Sequence, residues 1–202
     1  NNLAQLLQDT NRLKEAEPLY RRALEIDEAS YGSDHPEVAT DLNNLAQLLQ
    51  DTNRLKEAEP LMRRALEIDE SSYGPEHPNV ASDLNNLAQL LQDTNRLKEA
   101  EPLMWRVVTI FEKSYGEMHP NVATALNNLA LLLNDTNRLK EAEPLMRRHL
   151  EIFAAFTRAT GHPHPHLVGA INNYGGLLKE MGKSDEEVFS ILRSIVPEVF
   201  KK

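Results

Sequence analysis

The chain has 202 residues, with 31 acidic against 22 basic side chains and a formal net charge of −9. That balance argues against nucleic acid as a partner, because such binding needs a basic patch or stripe. Cysteine is absent, which excludes a disulfide framework and a zinc–thiolate centre and suits a reducing compartment. No run of about 18 apolar residues exists to span a membrane, and the N-terminus carries no secretory leader pattern. A cytoplasmic location is the expectation.

Residues 1–42 and 43–84 differ at only six positions, and 85–126 repeats the unit with a more apolar second half. A fourth copy starts at Asn127 and a degenerate fifth near His164. A fixed period of this length predicts a repeat array, so one elongated domain is expected over 1–202. Its repeats are expected at about 1–35, 36–77, 78–119, 120–162 and 163–202. The chain begins without Met, inside a helix lacking its first turn, which predicts a segment of a longer protein.

The second repeat shows the unit most clearly. His35-Pro36 opens a helix, since proline fits a first turn where its missing N–H has no partner anyway. Val38, Leu42, Leu45, Ala46 and Leu49 then fall on one helical face. Asp51-Thr52-Asn53 breaks the pattern, with Asn53 suited to a left-handed closing residue. The next helix starts near Arg54, with an apolar set of Leu55, Ala58, Leu61, Met62, Ala65, Leu66 and Ile68. Pro60 lies one turn in, and recurs as Pro18, Pro102 and Pro144, so the unit accommodates it. Gly74 supplies the positive φ of the helix end. Neither helix can bury its stripe alone, so neighbours must stack.

In the fourth repeat, alignment of His164-Pro165 with His119-Pro120 implies three extra residues, assigned to a longer loop over 160–165. A fifth first helix is expected from His166 to Met181. After Gly182, Ser184 with Asp185, Glu186 and Glu187 makes a good helix start, and this last helix is expected to run to about Phe200.

Large-then-small Leu45-Ala46 in the first helix, and Ala58, Met62 and Ala65 in the second, resemble the tetratricopeptide repeat. The 42-residue period and the strings LNNLA, KEAEPL, RRALEI and YG-x-x-HP are similar to the kinesin light chain type of that family. The resemblance covers nearly the whole chain. It implies an all-α, right-handed superhelix of about five helix-turn-helix repeats. It also implies protein–protein interaction, with the first helix of each pair lining a concave groove. Carried over residue by residue, the groove set is Asn43, Gln47, Gln50 and Asp51; then Asn85, Gln89, Gln92 and Asp93; then Asn127, Leu131 and Asn134; then Asn172 and Lys179. Thr40, Ser82, Thr124, Asp135, Gly169, Gly176 and Glu180 complete it.

Periodicity separately puts these residues off the apolar face, with Asn43, Gln47 and Gln50 on one side of their helix. Each amide offers donors and an acceptor, so a ladder of amides could hold the backbone of an extended peptide. The second asparagine of each pair (Asn44, Asn86, Asn128, Asn173) is assigned to bonds between helices. Kinesin light chain resemblance implies groove cations for acidic cargo. Here the first helices supply Asp51, Asp93 and Asp135, with only Lys179 basic, so a neutral or basic partner segment fits better. Leu131 and Gly176 make the C-terminal part more apolar.

Trp105 replaces an arginine of its sister repeats, and Phe111 and Phe153 replace Asp27 and Asp69. One reading makes them a convex apolar interface, and the other makes them tighter local packing. The alternative function is a structural or self-association spacer that uses this convex patch or the open ends of the solenoid, and the chain is expected to be monomeric or weakly self-associating. His162, His164 and His166 alternate with prolines and read as a stiff loop rather than a metal site; no metal or other cofactor is expected. His35, His77 and His119 read as structural residues at helix starts. Gly182-Lys183-Ser184 lacks the upstream glycine of a phosphate loop. With no HExxH, nucleophile elbow or glycine-rich nucleotide loop, an enzyme is not expected.

Overall fold

The computed structural model describes residues 1–200. Among them are ten α-helices and no strand: α1 (Asn2–Asp9), α2 (Leu13–Tyr31), α3 (Pro36–Asp51), α4 (Leu55–Tyr73), α5 (Pro78–Asp93), α6 (Leu97–Tyr115), α7 (Pro120–Asp135), α8 (Leu139–Thr160), α9 (Leu167–Glu180) and α10 (Asp185–Ile195). None of these is long and apolar enough to cross a membrane. Odd-numbered helices are the first of each pair, and even-numbered ones the second.

Two recurring turns set the fold. Between the helices of a pair, the Thr52 hydroxyl donates to the carbonyls of Leu48 and Leu49 at 3.0 and 3.1 Å. Asn53 follows in the left-handed region at φ 58°, as do Asn11, Asn95 and Asn137. The Arg54 N–H then reaches back to Leu49 O at 2.7 Å, closing the orphan carbonyls of the helix end. Between pairs, Gly74 at φ 86° ends α4. His77 then caps α5: its Nδ1 accepts from the Asn79 N–H at 3.2 Å, and its ring stacks on Tyr73. The same cap and stack recur at His35 with Tyr31 and at His119 with Tyr115. That gives the histidine before proline its structural role. The prolines at 18, 60, 102 and 144 all lie inside helices that continue through them.

The chain divides into two compact units, Asn1–Leu103 and Met104–Lys202. In the first, α1 packs on α2, α2 on α3, α3 on α4 and α4 on α5. Val38, Ala39, Leu42, Ala65 and Ile68 form a buried cluster, against which Leu24 and Leu61 pack. Ala46, Ala58 and Ala88 are fully buried, so paired backbones approach closely. Each fully buried Leu or Val contributes roughly 1.5–3 kcal/mol relative to exposure. In the second unit, α7 packs on α8, α8 on α9, and α10 on both α8 and α9.

Salt bridges add a second, weaker tie between repeats. Arg54 donates to Glu57 in its own helix and to Glu17 of the preceding repeat at 2.7 Å. Arg96 does the same with Glu99 and Glu59. Burial works against the Glu17 charge, yet hydrogen bonds from Arg21 and Arg54 hold its carboxyl below the usual range. The arginines at the pair turns therefore bridge neighbouring repeats rather than only solvating a helix surface.

Two expectations are corrected. The three extra residues of the fourth repeat do not lengthen its loop alone: α8 has 22 residues where α4 and α6 have 19. The added length continues the helix by nearly a turn, with Arg158, Ala159 and Thr160 carrying on before Gly161 adopts φ 73°. The last helix ends at Ile195 rather than near Phe200. Pro197 is the cause, because the residue before a proline is pushed out of the helical region and Val196 sits at φ −124°.

Candidate functional site

In the first unit, the faces of α1, α3 and α5 away from the core carry Gln5, Gln8 and Asp9, then Gln47, Gln50 and Asp51, then Gln89, Gln92 and Asp93. Gln47, Asp51, Gln89 and Asp93 are exposed, and Gln50 and Gln92 half-buried. These side chains already bond among themselves. Gln47 Nε2 donates to Asp51 at 3.3 Å and Gln89 Nε2 to Asp93 at 3.2 Å. Gln8 Nε2 crosses from α1 to Asp51 at 2.6 Å. The Tyr20 hydroxyl lies 3.1 Å from Gln5 Oε1 and 3.0 Å from Gln8 Oε1.

Asn43 does not stand clear of the fold as the ladder reading required. Its Nδ2 donates to Asp83 on the next first helix at 2.6 Å, and its Oδ1 is buried without a donor. Asn1 makes the matching bond to Asp41. The assignment of inter-helix bonding to the second asparagine is thus corrected for this pair: the first one does it, because its target lies forty residues ahead on the neighbouring helix. Asn85 is half-buried.

Asp83 and Asp41 show what those amides hold. Asp83 is 3 % exposed and within hydrogen-bonding reach of Asp69 on α4. Asp69 Oδ1 and Asp83 Oδ2 are both buried with no N–H or O–H donor. A single proton shared by the two carboxyls satisfies both oxygens. Burial is the main cause that raises Asp83 to about 7, opposed by the Asn43 bond and assisted by the Asp69 charge. Asp41, facing Asp27, is raised for the same leading reason.

In the second unit the same register positions hold Phe111 with Ala125, and Phe153 with Ala170. An aromatic and a small residue replace the acid pair. Phe153 is 0 % exposed and Phe111 half-buried, so Phe153 is removed from the convex interface reading. It occupies the space between helices that Asp69 fills in the earlier repeat. Trp105 stays 45 % exposed.

The remaining predicted residues of this unit are spread more widely. Leu131 is exposed on α7, and Asn134 is half-buried with Oδ1 lacking a donor. Asn172 is exposed on α9, and Lys179 is paired with Asp185 of α10 at 2.7 Å. Asn127 Oδ1 accepts from Asn173 Nδ2 at 2.9 Å. Here the second asparagine does bond between helices, as assigned. Together with Thr124, His149, Phe153, His166, Gly169 and Ala170, these two asparagines line a cavity of about 170 Å³. Sequence reading missed His149 as a site residue. Its signal was substitution, a histidine where Ala23, Ala65 and Val107 stand in the other repeats.

Two wider depressions, about 520 and 420 Å³, lie at the pair turns around Asn137–Glu141 and Asn53–Glu57 and recur because the turn recurs. Among the described residues no group of three or more His, Asp or Glu is placed to hold a metal ion. The His164 ring instead stacks on Phe153, with centroids 4.2 Å apart.

A family model for the tetratricopeptide repeat matches residues 1–71, 42–113 and 96–155. No curated protein sequence matches the chain. Among solved structures, the Podosopora anserina protein with kinesin light chain nearly identical TPR-like repeats superposes with a TM-score of 0.80 at 22% identity, over 100% of this chain and 95% of that one. BtubC (BKLC) from P. vanneervenii gives 0.79 at 26% identity, over 97% and 75%. YrrB, a TPR protein with an unusual peptide-binding site, gives 0.54 at 22% identity, over 97% and 84%. The paired helices, the repeated turns and these matches agree: the chain belongs to the tetratricopeptide repeat family, with repeats of the kinesin light chain type.

Proposed function

We propose that the chain is an adaptor module that holds an extended peptide or partner segment along the polar faces of its first helices. The observation that carries this reading is the recurrence of Gln47, Asp51, Gln89 and Asp93 as exposed groups on helices whose other faces are buried. Amide and carboxylate groups at one-repeat intervals can bond an extended backbone with little demand on side-chain identity. The carboxylates favour neutral or basic segments, since an acidic one would meet like charge at Asp51 and Asp93. YrrB, similar in fold, is described by its peptide-binding site, which supports the mode but not the ligand.

A peptide array with basic, neutral and acidic members tests the proposal. Gln47→Ala with Gln89→Ala should weaken captured peptides at least tenfold, and Asp51→Asn with Asp93→Asn should erase any basic preference. Capture that ignores all four substitutions would overturn it. Self-association remains a second reading, carried by exposed Trp105. Concentration-dependent mass abolished by Trp105→Arg would favour it.

A further inference from the structure

Several residues lining the cavity between α7, α8 and α9 differ from those at the matching positions of the first unit. Phe153 and His149 rise from α8, Thr124 and Asn127 from α7, and Gly169, Ala170 and Asn173 from α9, with His166 at the α9 start. At the matching register, earlier repeats carry Ser82 and Asp83 where this one has Gly169 and Ala170. Losing those side chains opens the space, and a Cβ built at Gly169 would meet nothing within 4 Å.

Its polar groups have a definite sense. His149 is 5 % exposed, and its Nδ1 lies 2.7 Å from Ala123 O. A carbonyl can only accept, so Nδ1 carries the hydrogen and Nε2 presents a lone pair. Nε2 has no protein partner among the described residues, and the ring lines the cavity. Asn127 gives its Oδ1 to Asn173, which leaves its Nδ2 to donate. In the first unit the equivalent Nδ2 of Asn43 is taken by Asp83; Ala170 removes that acceptor. Besides the His149 acceptor and the Asn127 donor, the lining carries the Thr124 hydroxyl, the His166 ring and the Asn173 amide, with Phe153 as an aromatic wall and no carboxylate, Lys or Arg.

Size narrows the occupant. A cavity of about 150 Å³ holds benzene, and a water takes about 30 Å³. At about 170 Å³, the space suits one six-membered ring with a hydroxyl and is too large for a serine or threonine side chain. A phenol matches the polar pair, since its single O–H can donate to Nε2 and accept from Asn127 Nδ2.

We infer that this cavity is an anchor subsite for a phenol-bearing side chain, a tyrosine in a bound segment. The inference rests on the peptide-holding reading of the protein, yet the subsite can be tested without any peptide. The probes are p-cresol and toluene, equal in shape apart from the hydroxyl. Binding is read from the side-chain ¹⁵N resonances of His149 and by calorimetry on the full chain.

The expected result is millimolar p-cresol binding, at least fivefold tighter than toluene, with the His149 Nε2 resonance moving on saturation. His149→Ala restores the residue found at Ala65, so the array should fold, and p-cresol should lose its advantage over toluene. Gly169→Leu fills the mouth and should weaken both probes at least tenfold. Equal affinity for the two probes, an unmoved Nε2 resonance, or p-cresol binding untouched by both substitutions would overturn the subsite. Peptides captured with no tyrosine preference and no p-cresol response would sink the subsite alone. A p-cresol response with no captured peptide would sink the adaptor reading alone.

Discussion

Replacing Asp83 by asparagine isolates the buried acid pair. In the folded chain Asp83 keeps its proton to about pH 7, whereas an ordinary aspartate loses it near 3.8. Between those values the folded state binds more protons than the unfolded state, so stability falls as pH rises from about 4 to about 7. At 1.36 kcal/mol per pH unit the loss is roughly 4 kcal/mol at most, and about 2 after relaxation around the charge. Asp83→Asn keeps the shape. The new amide can still accept from Asn43 and can now donate to Asp69, so no proton is required. At pH 8 the variant should be more stable than the parent by about 2 to 4 kcal/mol, shrinking to near zero at pH 4. Urea unfolding at pH 4, 6 and 8, with a ¹³C titration of the Asp83 carboxyl, measures both quantities. An Asp83 that titrates near 4, or a variant no more stable than the parent at pH 8, would refute the shared-proton argument.

Other outcomes follow from local geometry. Asn95 sits at φ 58°, so Asn95→Val should lower stability by roughly 1–2 kcal/mol while Asn95→Gly stays near neutral, as thermal unfolding would report. Ser184 forms a capping box with Glu187 at the start of α10. Ser184→Ala should cost about 1 kcal/mol, seen as faster hydrogen exchange confined to α10. A Cβ added at Gly175 would lie 3.4 Å from Leu192 Cδ1 and 3.7 Å from Val188 Cγ1, ordinary contact. Gly175→Ala should therefore stabilise by up to about 1 kcal/mol through helix propensity, whereas Gly175→Phe should lift α10 from α9 and cost roughly 1–3 kcal/mol in denaturant unfolding.

Much of this was legible before any coordinates. Spacing along Val38, Leu42, Leu45 and Leu49 fixes an amphipathic helix, since 3.6 residues per turn leaves one apolar face. Asn53, Gly74 and His35-Pro36 mark the helix ends, because each matches a backbone requirement that few residues meet. Repetition then multiplied one local reading into a whole array. The candidate face was legible only as far as exposure: period and family resemblance put Gln47 and Gln89 outside the core.

Partners across repeats were not readable, because they depend on which neighbour a side chain meets. Nothing local in Asn43 says that it reaches Asp83, forty residues on. For Phe153 the sequence left both a surface patch and tighter packing open, because its sister residue is an aspartate and a lone aspartate suggests water. The stacked helices instead bury that position, filling it with a proton-sharing acid in one repeat and a phenyl ring in another. His149 likewise became an acceptor in a cavity only when α7 offered a carbonyl to its Nδ1 and α9 withdrew its side chains. Sequence determined the helices and their ends, which are set within a turn or two of chain; packing between repeats decided which polar groups are consumed and which remain to bind.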